Sequence, residues 1–585
     1  MKPLTLENYK ELLPYLEIAN YKEYNSNIVT LLMWNNLYHM YFETTDTYAL
    51  ICSKDEKGIL WLAPHCKKEY RKDAMEAMMR ISKEQHIPFS ICALVKEFRD
   101  WILEEYPLQF MIENVIDAQD YIYDRFQQES LAGKKMQKRR NHYRAFLSTY
   151  EHRMQYKPIE ESDHEAIYAF LKKWQERKKE QEFDSIQAEE KGMKLLLSNY
   201  EKLSLRGGCI YIDGQLEAFL IASYLSKDTI QIHIEKANSE IRGLYVAILK
   251  HFLETLESDV LYINREEDMG LEELRKAKTN MHPIYKVKKF TAHQSSLQLQ
   301  QANDTWLPQI KQLWIEQFKE ESEESCEYYF QNLYKKENCW ILHSKDELLC
   351  MLQVRKMKIS LENKGYPAVL FFGIATSSKH EGCGYMRLLL NHVLSLFPDH
   401  IQLIQAYNWD LYRSFGFHEQ YTRYTWKLDK NAYVKCNGAW NTNPVNKDLL
   451  SAYQNFTSNK NGYRIREEQW YEEQKAYMSL WDYAFLSYEE NGVCKGYFLI
   501  KETDNEIHIS ECVYDSMETL HSMLAHFHLE QRKVLLDMDS TVSLHGKMKQ
   551  DIYMMVRDSL SVSFQEPLYI LSLIHISEPT RPEPI

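Results

Sequence analysis

Residues 371–397, FFGIATSSKHEGCGYMRLLLNHVLSLF, decide how this chain is read. An apolar run, FFGIAT, stops at Ser377, a polar stretch with Lys379, Gly382, Cys383 and Gly384 follows, and apolar residues then recur at helical spacing from Tyr385. That is a strand, a glycine-containing turn and an amphipathic helix. Backbone N–H groups left over at the turn and at the helix start attract an anion, and Lys379 adds positive charge. A pyrophosphate suits such a turn. The two glycines would equally serve to let a strand turn tightly into a helix.

Working outward, the same unit recurs: a β-hairpin, a strand, an amphipathic helix, a strand and a short helix. Four copies are counted. The third has its hairpin at 339–355, strand at 368–376, helix at about 382–396, strand at 401–406 and short helix near 410–415. In the first, the hairpin is 48–64, the helix 69–85 and the next strand 89–95. The second turns on Asp213 and Gly214, followed by strand 230–235, helix 240–256 and strand 260–264. The fourth turns on Asn491 and Gly492, followed by 506–514, 516–529 and 533–538. This order predicts an α/β (α+β) fold of tandem mixed β-sheets flanked by helices. A length of 585 residues, at about 150 per domain, has room for four such units.

Composition narrows the function classes. With 44% hydrophobic residues and only 18 Gly and 15 Pro, the chain has the material to fold throughout. Its formal charge of −13 repels polyanions except at a local basic patch. Eleven scattered Cys, none at a short metal-ligand spacing, point to reduced thiols, a cytoplasmic setting and no metal site. No apolar run of about 18 residues exists, so neither a leader nor a stable membrane insertion is expected. The last stretch, LSLIHISEPTRPEPI (571–585), resembles translated sequencing-adapter read-through and is read as a non-native tail that cuts the natural frame near Ile570.

The stretch around Gly384 resembles the Gcn5-related N-acetyltransferase (GNAT) superfamily, whose phosphate motif reads here as Lys379, Gly382 and Gly384. The family's next feature, Tyr followed four residues later by Gly-Phe, reads as Tyr412, Gly416 and Phe417. Lys379 departs from the more usual Arg or Gln. The resemblance implies acetyl-CoA as donor substrate, bound by Ile374, Ala375, Lys379, Gly382, Cys383 and Gly384, with a backbone N–H near Ile374 or Ala375 polarising the thioester carbonyl. It makes Tyr412 the acid that protonates the leaving thiolate, or else a buried aromatic with a satisfied hydroxyl. No general base is evident, since His380 and Glu381 are set toward the phosphates. A Cys383 acyl intermediate is set aside, because the same turn would face diphosphate.

Residues 297–557 resemble the enhanced intracellular survival acetyltransferase family, on Tyr453, Phe456, Gly462, Tyr463, Arg466 and Trp470 and the fourth copy. Those aromatics could equally be a helical core stripe. Residues 1–293 resemble the soluble phosphatidylglycerol lysyltransferase C-terminal domain (DUF2156), on TLLMWNN (30–36), GKKMQKRRNHYRAF (133–146), IHIEKANSEIRGLY (232–245) and YINREEDMGLEELRKAKTNMHP (262–283). The expected domains are 1–130 and 131–295, two repeats of that family; 296–430, the acetyltransferase; 431–545, a degenerate partner; and 546–570, the truncated start of a sterol-carrier-like domain.

Three uses of the chain follow. The first is acetyl-CoA-dependent N-acetylation of an amine-bearing small molecule or peptide; the resemblance to the enhanced intracellular survival family implies amines that include lysine side chains and aminoglycosides. The second is aminoacyl-tRNA-dependent transfer to a lipid or peptide amine by residues 1–293, and the third is binding without catalysis. Six positive charges within 134–144 could hold tRNA phosphates or could be a solvated helix face. The candidate N-terminal site comprises Lys138, Arg139, Arg140, Asn264, Arg265, Glu266 and Arg275, because a buried strand ends at Asn264 among clustered charges. The acids there could serve an amine substrate or cap the helix that follows Gly270. Neither N-terminal repeat has a G-x-G turn, so CoA binding is not expected there.

Overall fold

The hairpin patterns form antiparallel pairs and the helical stripes cover them. In the computed structural model the chain divides into two units, Met1–Ser296 and Leu297–Ile585. Described are residues 1–55, 58–176, 183–406, 408–433, 437–539 and 542–558, with 560, 564, 568 and 569. The tail 571–585 lies outside the described residues. Among the described residues no helix is long and apolar enough to cross a membrane.

The N-terminal unit holds two mixed sheets. In the first, Tyr48–Asp55 and Gly58–Leu62 form the expected hairpin, and Gly58–Leu62 runs parallel to Ser90–Val95 across helix Arg71–Glu84. The second has the order Tyr285–Val287, Asp120–Asp124, Tyr262–Asn264, Thr229–Ala237, Gln215–Ser226, Arg206–Ile212 and Met154–Pro158. Helix Leu244–Leu253 packs Leu244, Ala247, Ile248 and Leu249 against it.

The expected boundary near residue 130 needs correction, because the two sheets exchange strands. Asp120–Asp124 leaves the first repeat and pairs with Tyr262–Asn264 and Tyr285–Val287 in the second sheet. Lys289–Gln294 returns from the second repeat and lies between Ser90–Val95 and Phe110–Asn114 in the first. Burial accounts for this: Tyr121, Ile122, Tyr123, Phe290 and Ala292 are all enclosed in their host sheets.

The C-terminal unit repeats the device. His418–Leu428 pairs along its length with Gly546–Asp558 and, over Tyr424–Lys427, with Lys533–Met538. The third and fourth copies thereby share one continuous sheet. Residues 546–558, expected at the head of another domain, are instead an inner strand between Ile401–Ile404 and His418–Leu428, with Met554, Met555 and Val556 fully buried.

Candidate functional site

Strand Lys364–Thr376 runs parallel to Ile401–Ile404 only from Ala368 to Phe371, paired with Ile401 to Ile404. Beyond Phe371 it continues for five residues whose strand partner among the described residues is Glu347–Leu361 alone, so the sheet opens between two parallel strands. At the opening the register with Glu347–Leu361 slips. Phe372 faces Gln353 and Ala375 faces Met351, which leaves Gly373 and Ile374 opposite the single residue Leu352. This is a β-bulge, which leaves a ladder position unpaired and bends the strand. Gly373 makes it possible: its φ is +57°, and a Cβ there would stand 2.7 Å from Trp314 Cζ3.

The strand then enters a turn, Ser378–His380, and helix Tyr385–Ser395. Gly382 and Gly384 both adopt left-handed φ, +76° and +95°, and Gly384 occupies the helix N-cap. The N–H of Ser378 donates to Glu316 Oε1 at 3.1 Å, which ties the turn to helix Leu307–Gln317. Lys379 is exposed, with Nζ 3.9 Å from Glu347 Oε1. His380, set toward the phosphates in the sequence, turns inward: it is buried, with Nε2 3.2 Å from the same Glu347 oxygen. Ile374, Ala375 and Cys383 are buried.

Tyr412, on the short helix Trp409–Arg413, is 2% exposed, with its ring 6.3 Å from Phe415 and 6.4 Å from Phe417. Its carbonyl accepts from the N–H groups of Phe415 and Phe417 at 2.9 and 3.3 Å. Gly416 turns at φ +86° beside Arg557, whose Nη1 donates to Gln402 at 2.8 Å.

Sequence reading missed a group of residues beside the bulge. Tyr329 donates to Gln353 Oε1 and stacks on Trp314, with centroids 5.0 Å apart. Glu321, ahead of helix Glu323–Tyr328, accepts from Ser325 Oγ at 3.1 Å, and its Oε1 is enclosed without a hydrogen-bond partner among the described residues. Burial pushes its carboxyl up to about 7. Only the fold brings it to the Tyr329 and Tyr477 side of the strand; a glutamate in KEESEES carries no signal of its own. Of the aromatics singled out, Tyr453 and Trp470 sandwich Arg466, each ring 3.9 Å from Cζ, and Arg466 pairs with the fully buried Glu511 at 2.8 Å.

In the N-terminal unit the predicted site residues are distributed among separate partners. Asn264 Nδ2 donates to Asp120 at 2.7 Å; Arg265 pairs with Glu235 at 2.9 Å; Glu266 accepts from Gln231 at 2.8 Å. Arg275 bonds Asp268 and Asp117, and that guanidinium holds the Asp268 carboxyl far below the usual carboxylate range. The basic segment forms helix Gln137–Tyr150. Lys138 and Arg144 are exposed on it and Lys134 and Lys135 just before it, Arg140 donates to Gly133 O at 3.1 Å, and Arg139 turns inward beside Arg265. Burial, with Arg265 adding to it, lowers the Arg139 pKa to about 10.

Here too a parallel pair opens: Thr229–Ala237 outruns Tyr262–Asn264 beyond Gln231, and Gly243 caps helix Leu244–Leu253 at φ +87°. The turn at Gly243 is closed, however. A Cβ on Gly243 would lie 2.1 Å from His142 O, because helix Gln137–Tyr150 crosses directly over it.

Two family models match. Residues 17–293 match the phosphatidylglycerol lysyltransferase C-terminal model, and residues 298–419 match the acetyltransferase (GNAT) domain model. The chain is acyltransferase-like in both halves. A conserved protein of unknown function from Bacteroides thetaiotaomicron is 25% identical, with a TM-score of 0.46 over 50% of this chain and 99% of that one. The C-terminal domain (DUF2156) of a putative lysylphosphatidylglycerol synthetase from Agrobacterium fabrum is 12% identical, with a TM-score of 0.36 over 49% and 92%. A GCN5-related N-acetyltransferase from Kribbella flavida is 15% identical, with a TM-score of 0.39 over 45% and 70%. An uncharacterized protein of Mycoplasmoides gallisepticum is 24% identical over 192 residues, 33% of this chain; the chain spans 60% of that curated relative's length.

Proposed function

We propose that residues 297–430 transfer an acetyl group from acetyl-CoA to a primary amine, by direct attack of the amine on the thioester in a ternary complex. The observation that carries this reading is the strand Lys364–Thr376, which parts from its parallel neighbour after Phe371, kinks at Gly373 and leads into a glycine turn at a helix start. A thioester lying in the opening has its carbonyl beside the bulge, where a backbone N–H of Ile374 or Ala375 stabilises the oxyanion. Its pyrophosphate takes the N-terminus of helix Tyr385–Ser395, framed by Lys379, Gly382 and Gly384. Tyr412 gives the proton to the leaving thiolate, and Glu321 accepts one from the incoming ammonium.

Isothermal titration of acetyl-CoA tests the donor. The wild-type chain is expected to bind, and Gly384→Trp, which fills a left-handed helix cap, to lose binding. Binding by neither protein overturns the reading. Tyr412→Phe is expected to lower kcat by about a hundredfold with acetyl-CoA affinity retained; equal loss of both assigns Tyr412 to the core. Glu321→Gln is expected to abolish a rising limb of kcat/KM near pH 7, since the carboxyl accepts a proton only above its raised pKa of about 7. An unchanged pH profile removes Glu321 from the reaction.

A second reading concerns residues 1–293: aminoacyl transfer from an aminoacyl-tRNA to a lipid or peptide amine. It is favoured by the closure of Gly243 beneath helix Gln137–Tyr150, together with four exposed cations on and just before that helix.

A further inference from the structure

The side of the C-terminal sheet that carries the bulge also carries two arginines without an acid. Residues 353, 355, 357 and 359 alternate onto one face of Glu347–Leu361, and Arg464 is in register with Ile359. Gln353, Arg355 and Arg464 therefore line one face. Arg355 Cζ lies 5.3 Å from the ring of Phe372, the first residue past the opening, and Arg464 Cζ lies 5.4 Å from the ring of Trp470. Among the described residues neither guanidinium has a hydrogen bond or a carboxylate within 4.0 Å, and Arg464 Nη1 is enclosed without a partner.

The surrounding charges do not neutralise this pair. Arg466, two residues on, is committed to Glu511. Glu473 acts on both cations only from a distance; it is exposed and accepts from Gln469 at 3.0 Å. Glu321, its carboxyl pushed up to about 7 by burial, is paired with neither guanidinium among the described residues. Burial and the neighbouring Arg355 and Arg466 lower the Arg464 pKa to about 9. Gln353 Nε2 and Trp470 Nε1, on the same side, are also enclosed without partners among the described residues. Both arginines are half-buried, and partly buried cations lacking a counter-ion are costly; such violations gather where a ligand completes the site.

The donor elements approach from the other face. Trp314, Tyr329, Ile359 and Leu370 share a core cluster that includes none of the buried Leu389, Leu390, Val393 and Leu394 of helix Tyr385–Ser395. We infer that the acceptor is a primary amine that also bears an anionic group, a carboxylate or a phosphate, held by Arg355 and Arg464 with its amine directed to the bulge at Gly373–Ala375. The planar guanidinium fork suits either anion. This rests on the acetyl-transfer reading for the role of the amine, while the anion site stands on the two arginines. Polycationic amines such as aminoglycosides are the poorer fit, contrary to what family resemblance implies.

Four primary amines of equal chain length, ending in a carboxylate, a phosphate, a carboxamide or a second amine, titrated into the full chain with and without CoA, test this. The carboxylate or the phosphate compound is expected to bind roughly tenfold or more tighter than the carboxamide, and whichever of the two is tighter names the natural anion. Arg355→Gln and Arg464→Gln are each expected to erase the preference, and Arg355→Lys to keep part of it. Both Gln variants should melt at a higher temperature than wild type, since each removes an uncompensated charge, so lost binding is separable from lost folding. Equal binding of the carboxamide, tightest binding of the diamine, or binding of none of the four overturns the inference. Acetyl-CoA is titrated separately: anion preference without donor binding sinks the donor reading alone, and donor binding without anion preference sinks this one alone.

Discussion

Replacing Lys289 by methionine is expected to destabilise the N-terminal unit by about 3–5 kcal/mol. Its ammonium, 2% exposed, lies 2.6 Å from Asp120 Oδ1, 3.7 Å from Glu23 Oε2, 2.9 Å from Asn25 Oδ1 and 3.6 Å from the centre of the Tyr24 ring. Asp120, fully buried, opens the strand that crosses into the second sheet, and Lys289 opens the strand that crosses back. The pair thus fastens the two crossing segments at one point. Methionine keeps the volume and leaves two carboxylates enclosed without a cation, which is worse than having no charge there at all. Asp120→Asn added to Lys289→Met should recover part of the loss, because it removes one of the orphaned charges.

The deficit should also deepen with pH. Burial holds the Glu23 carboxyl at about 7, above its unfolded value, so its stabilising contribution is complete at low pH and lost as pH rises through 7. Lys289 is the cation that restrains this rise, and without it the loss at pH 8 is larger. Thermal unfolding of the full chain at pH 5 and pH 8 reads both effects; a transition unmoved by Lys289→Met would assign the fastening elsewhere.

The second large effect is expected at Gly373. Gly373→Ala should lower kcat of acetyl transfer by about a hundredfold to a thousandfold, the scale of losing one oxyanion donor, with acetyl-CoA affinity nearly intact. The new Cβ meets Trp314 Cζ3 at 2.7 Å and Cη2 at 3.3 Å, and a left-handed φ of +57° opposes any L side chain. To accept it the bulge must unkink, which swings the N–H groups of Ile374 and Ala375 away. Gly365→Ala supplies the control on the same strand, since its Cβ meets only the flexible tip of Ile465 at 3.3 Å and no φ strain arises. Gly373→Ala combined with Trp314→Leu should regain part of the rate if displacement of the bulge is the cause. Full activity in Gly373→Ala would remove the bulge from the chemistry.

What could be read in the sequence is what depends on neighbours along the chain. Strand Glu506–Tyr514 and strand Lys533–Met538 coincide with the expected 506–514 and 533–538, since alternation and flanking turns bound them. Helix Tyr385–Ser395 lies within the expected 382–396, where apolar spacing marks it. The exchanged strands were illegible, because nothing in Asp120–Asp124 states which of two similar sheets will take it. The same holds for Gly546–Asp558, a strand whose partners lie more than 100 residues away in one direction. At the site, Lys379, Gly382 and Gly384 were legible as a motif, whereas Glu321, Arg355 and Arg464 were not. Their meaning comes from enclosure without an ionic partner among the described residues, a property of the folded surroundings and invisible in the residue itself.

The exchange of Asp120–Asp124 for Lys289–Gln294 also sets an order on synthesis. Ser90–Val95 and Phe110–Asn114 wait for the strand that separates them, which leaves the ribosome only after the whole second sheet has been made. At about 5–20 residues per second, the first sheet spends on the order of ten seconds or more with a gap in its middle and two unsatisfied strand edges. Slowing translation just after residue 130 should lower its soluble yield, whereas slowing it after residue 296 should leave the yield of the N-terminal unit unchanged.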